Sequence, residues 1–147
     1  MFMTAAPARA RRPARNWPLA AAMCAVALAL PHAARAANTS AAQQLERWNA
    51  QTPVPGQADR GRAFFTARQG GEWSCSSCHG NPPVSAGKHA STGKAIDALA
   101  PAFNAQAFTD SARVDKWFRR NCNDVLRREC SAGEKADVLA WLLSLQP

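Results

Sequence analysis

Apolar positions along the chain form one unbroken run and four periodic segments. The run covers residues 17–30. The first periodic segment, 40–50, reads as a short amphipathic helix carrying Leu45 and Trp48, and Thr52-Pro53-Val54-Pro55-Gly56 breaks it. A second helix is predicted over 58–68 with Phe64 and Phe65. A third starts near Thr109 or Asp110, either of which can cap it, and carries Val114, Trp117, Phe118 and Asn121 at i, i+3, i+4 and i+7. The last runs over 131–145: Ser131 and Glu134 have capping-box spacing, and Val138, Trp141, Leu142 and Leu145 make a buried stripe. Residues 80–104 are loop-rich, with no convincing strand. The expected fold class is all-α.

The apolar run is an address. Arg9, Arg11, Arg12 and Arg15 precede it and Ala34-Arg35-Ala36 follows it, the layout of a signal peptide cleaved after residue 36. Fourteen residues fall short of the ~20 that a membrane span needs. Met23 before Cys24 does not suit a lipobox, and Arg11-Arg12 lacks the rest of a twin-arginine motif. The expected organisation is a signal peptide at 1–36, a short helix and linker at 37–56, and a domain at 57–147, with a periplasmic location and no integral span in the mature chain. Export also changes the charge. The formal +8 loses five arginines with the signal, which leaves 13 basic against 10 acidic residues, or +3. That gives nucleic-acid binding little support.

Cys75-Ser76-Ser77-Cys78-His79 is the attachment signature of a c-type haem. Two thiols separated by two residues reach one face of the macrocycle, and the adjacent imidazole ligates the iron. A zinc site would need Cys122 and Cys130 to converge on the same point at an unsuitable spacing, and a thioredoxin-like pair would need a βαβ surround. One motif implies one covalently attached haem c. Cys122 and Cys130 remain as an even pair in an exported chain and are read as a disulfide. In a straight helix their Cα atoms would be about 12 Å apart, so the chain must turn between them.

This arrangement is similar to a class I cytochrome c, in which an N-terminal helix with a Gly-x-x-x-aromatic pattern crosses a C-terminal helix. Gly61, Phe65 and Trp141 stand in the matching places. The methionines are Met1, Met3 and Met23, all in the signal segment, so none is left for the sixth ligand of an ordinary electron-transfer cytochrome c. His89, a lysine, an amide such as Asn121, water or an open position remain. An asparagine on the buried face of the third helix needs a partner: either a core or capping hydrogen bond, or ferric iron.

The segments Phe108-Thr109-Asp110-Ser111-Ala112-Arg113-Val114-Asp115-Lys116-Trp117-Phe118, Arg120-Asn121-Cys122-Asn123 and Gly133-Glu134-Lys135-Ala136-Asp137-Val138-Leu139-Ala140-Trp141-Leu142 closely resemble the sphaeroides haem protein (SHP) family. The resemblance implies His79 as proximal ligand and Asn121 as the distal ligand of ferric iron. It also implies a Cys122–Cys130 bridge and release of Asn121 on reduction, which opens a site for oxygen or nitric oxide. It further implies a dihaem cytochrome c or other redox donor and, in its furthest form, nitric oxide dioxygenase activity. Arg127 stands where members of that family have glycine, so a turn with positive φ there would be strained. The alternative is a plain electron-transfer cytochrome with six-coordinate His79/His89 or His79/lysine haem. Arg113, Lys116, Arg119, Arg120, Arg127 and Arg128 form either a solvated face or a docking patch for an acidic partner.

Overall fold

The computed structural model describes residues 39–147; the expected signal peptide lies outside the described residues. Helix α1 (Ala41–Asn49) starts at a capping box in which Ser40 and Gln43 exchange hydrogen bonds, and it buries Gln44 and Trp48. Helix α2 (Ala58–Thr66) ends at Ala67, whose backbone is extended. The one-turn helix α3 (Ser76–His79) carries the C-x-x-C-H motif. Helix α4 (Ser111–Leu126) is capped by the Asp110 carboxylate, which accepts from the Arg113 N–H at 2.8 Å. Helix α5 (Ala132–Ser144) opens on the expected Ser131–Glu134 capping box. No described helix is long and apolar enough to cross a membrane.

The fold is helical, and its centre is the crossing of α2 on α5. Gly61 is buried there because a Cβ would collide with the Asp137 carbonyl and lie 3.0 Å from the Trp141 Cβ. One turn later the Phe65 ring lies 5.0 Å from that of Trp141, and Leu139 and Leu142 are fully buried beneath them. Each such side chain contributes about 1.5–3 kcal/mol by leaving water. The glycine costs α2 about 1 kcal/mol of helix propensity, which the close approach offsets. At the start of α2, Asp137 of α5 accepts from Arg60 Nε at 2.9 Å and from the Gln57 N–H at 2.8 Å.

Three features depart from expectation. Residues 80–104 contain an antiparallel ladder of β1 (Gly87–Lys88) and β2 (Ala95–Ile96), with Gly87 opposite Ile96, and a 3-10 turn at Pro101–Phe103. Two-residue strands are too short to show an alternating pattern. Helix α2 stops two residues before Arg68. On α4, Val114 and Cys122 are buried and Phe118 packs on the core, but Trp117 is 44 % exposed. At about 100° per residue, Trp117 lies about 100° round the helix from Phe118, off the arc that Val114, Phe118 and Cys122 define.

Candidate functional site

Sequence places Cys75, Cys78 and His79 on a single turn, and a hydroxyl network fixes that turn. Ser74 is buried, its Oγ lies 2.8 Å from Ser76 Oγ and 3.1 Å from Ser77 Oγ, and Ser77 Oγ accepts from the Ser74 N–H at 3.0 Å. These bonds tie the chain just before α3 to its first turn, although no side chain caps the helix's own N–H groups. Sequence reasoning missed the role of these serines, although the Ser-Cys-Ser-Ser run was its signal.

The donor set fits a covalently attached haem. Both thiols are free. Cys75 packs against the apolar core, and burial pushes its thiol up to about 11, so it is protonated and neutral. Cys78 Sγ accepts from the Ala90 N–H at 3.2 Å. Burial, and then the neighbouring His89, hold the His79 imidazole below its ordinary pKa, so it is neutral and keeps a lone pair for a metal. Its Nδ1 is buried without a hydrogen-bond partner, and Phe65 packs 6.2 Å from the ring. Cys122 and Cys130 are bonded to each other, with Cα atoms 5.6 Å apart, so they do not complete a zinc site with the first pair.

The turn between those cysteines is made by Arg127 in the left-handed region, at φ 59 and ψ 20. It is the position expected to be strained. The returning loop is tied to α5 by Arg128, which donates to Glu134 at 2.6 and 2.8 Å and holds that carboxyl below the usual range. Asn121 is half-buried directly before the bridge. Among the described residues its side chain takes no hydrogen-bond partner, so the core or capping bond is not formed. The chain entering α3 passes the end of α4: a Cβ on Gly71 would lie 2.7 Å from the Val125 carbonyl oxygen.

His89 lies on the motif's own side. Its Nδ1 contacts Ser91 Oγ at 3.2 Å and the Thr92 N–H at 3.3 Å, and its neighbour Ala90 bonds Cys78. Among the expected basic residues, Arg119 pairs loosely with Glu129 at 3.7 Å and Arg120 with Asp124 at 3.9 Å. Lys116 and Arg120 each lie 5.6 Å from the centre of the Trp117 ring.

Residues 51–142 match a family described as a domain of unknown function (DUF1924). The chain is 49% identical over 113 residues to cytochrome c-type protein SHP of Cereibacter sphaeroides, covering 74% of this chain and 87% of that protein. The structure of oxidised SHP, an oxygen-binding cytochrome c, aligns with a TM-score of 0.69 at 48% identity, covering 74% of this chain and 99% of that one. Cytochrome c'' of Methylophilus methylotrophus is 43% identical over 88 residues, 57% of this chain and 61% of that protein. Its solution structure, which addresses the basis of haem-ligand detachment, aligns with a TM-score of 0.63 at 33% identity over 73% of this chain and 94% of that one.

Proposed function

The chain belongs to the SHP family of c-type cytochromes and carries one covalently attached haem c, and we propose that it is an exported, periplasmic protein that binds oxygen or nitric oxide under redox control. Cys75 and Cys78 provide the thioether links, His79 is the proximal ligand and Asn121 the distal ligand of the ferric state. Held by these groups, the haem supplies an iron that changes oxidation state and takes a diatomic gas when reduced. The protein's part is selection. The Asn121 carbonyl is a hard, weak donor that suits Fe(III) better than Fe(II). With the haem held there, reduction would weaken that bond, and the side chain could leave by its own rotation while the disulfide keeps α4 in place. The freed Asn121 amide N–H would then offer a hydrogen-bond donor to the gas. Nitric oxide dioxygenase turnover is the finer form of this reading, with electrons from a dihaem cytochrome c or another redox donor docking on the basic α4 side.

One observation carries the proposal: the half-buried, unengaged Asn121 amide next to the Cys122–Cys130 bridge, in a chain with no methionine after residue 23. The local bonds of His89, on the Cys78 side, support Asn121 over His89. SHP itself is described as oxygen-binding, and cytochrome c'' as undergoing haem-ligand detachment. Carbon monoxide tests the reading. The dithionite-reduced holoprotein is expected to bind it rapidly and completely, whereas slow, partial binding would mark a six-coordinate electron carrier.

A further inference from the structure

We infer that Phe118 is a positioning residue for Asn121: a clamp of three aromatic rings sets the rotation of α4 and thereby how firmly the amide holds ferric iron. This inference rests on the Asn121 assignment above. Phe118 precedes Asn121 by three residues, so the two side chains are neighbours on the helix surface. Trp48 of α1 meets the Phe118 ring edge-on, 4.8 Å away at 79°. Phe108 packs on the same ring at 6.4 Å and 42°.

The clamp is held against a backbone preference. Phe108 sits at φ 62, where a bulky aromatic is a genuine outlier that persists only when its surroundings impose it. Its ring packs on Phe118 and against the buried core cluster. Polar ties fix the same pair of helices. Arg47 donates to both Asp115 oxygens, at 2.5 and 3.0 Å, and Gln44 Nε2 donates to Ser111 Oγ at 2.8 Å. Helix α4 is thus held on one side at Ser111, Asp115 and Phe118, and next to Asn121 by the bridge at Cys122. A rigid helix leaves the Asn121 side chain as the moving part. A weak ligand holds its metal only if it is presented in the right place, and small misplacements are costly.

The test is ferric cyanide affinity and midpoint potential of the holoprotein, for Phe118→Leu in the wild-type and Asn121→Ala backgrounds. Cyanide must displace the amide, so its apparent affinity rises as the amide is loosened. In the wild-type background Phe118→Leu is expected to tighten cyanide about tenfold and, by the same loss of ferric stabilisation, to raise the midpoint potential by about 59 mV. In the Asn121→Ala background the change should be less than about twofold, because nothing is left to position. No change in the wild-type background, or an equal change in both, overturns the clamp. If Phe118→Leu does not retain haem, Phe108→Leu reads the same contact with the same outcomes. The Asn121→Ala parent separates the two ideas. If it binds cyanide no more tightly than wild type, the ligand assignment fails first. If it binds more tightly but Phe118→Leu acts equally in both backgrounds, only the clamp fails.

Discussion

The α2–α5 crossing and the distal segment from Asp110 to Cys130 are secured by different means. The crossing is apolar and close: Gly61 lets the backbones meet, Phe65 and Trp141 interlock, and Leu139 and Leu142 are sealed. The distal segment buries only Val114, Cys122 and Cys130 and relies on point attachments: the clamp on Phe118, the Arg47–Asp115 pair, the disulfide, and Arg128 on Glu134. It contains Arg127 and follows Phe108 by two residues, the two non-glycine residues at positive φ among the described residues. The two regions divide the work. A continuous core packs Phe65 against His79, the proximal ligand proposed above, whereas discrete ties can hold a helix still and leave one amide free to come and go.

The largest expected effect lies at the crossing. Gly61→Ala puts a methyl group into the Asp137 carbonyl and should destabilise the holoprotein by about 3 kcal/mol, read by denaturant unfolding. Its ferric ligand spectrum should stay unchanged while the protein is folded. Cys122→Ser/Cys130→Ser should cost about 2–3 kcal/mol on the chain-entropy account of disulfide stabilisation. It should also produce what Gly61→Ala does not, a mixed or water-ligated ferric iron with covalent haem retained. Two reactive thiols in the denatured, unreduced exported protein would remove the bridge and this prediction with it.

Smaller effects sharpen the contrast. Arg127→Gly relieves the left-handed backbone at the end of α4 and should stabilise by about 1 kcal/mol, with the disulfide and spectrum kept. A neutral or destabilising result would mean that the turn is not strained. Smallest is the Arg47–Asp115 pair. Hydrogen bonds from Arg47 hold the Asp115 carboxyl below its ordinary range, so its contribution is present above the unfolded pKa and is lost as pH falls through the folded one. The stability gap between wild type and Asp115→Asn should therefore be constant above about pH 5 and close on further acidification. It should stay under about 1 kcal/mol, because both partners are over a third exposed.

Local rules made much of this molecule legible. Asp110 and Ser131 cap helices as their residue types predict, and the requirement that the chain turn between Cys122 and Cys130 is met at Arg127. The C-x-x-C-H motif and the missing methionine needed only reading and counting. What stayed hidden depends on contacts between distant residues. No pattern announces that Trp48 and Phe108 meet Phe118, that Gln44 reaches Ser111, or that the hairpin around His89 folds onto Cys78. Helical period alone also put Trp117 on the buried stripe, because a stripe of four residues is wider than the arc the core covers.

The most direct measurement is the ferric spectrum, optical and electron paramagnetic resonance, of holoprotein Asn121→Ala beside His89→Ala. Asn121→Ala is expected to keep its covalent haem but turn to a water-ligated, largely high-spin form, while His89→Ala remains like wild type. A wild-type spectrum from Asn121→Ala, or conversion by His89→Ala, would contradict the Asn121 assignment.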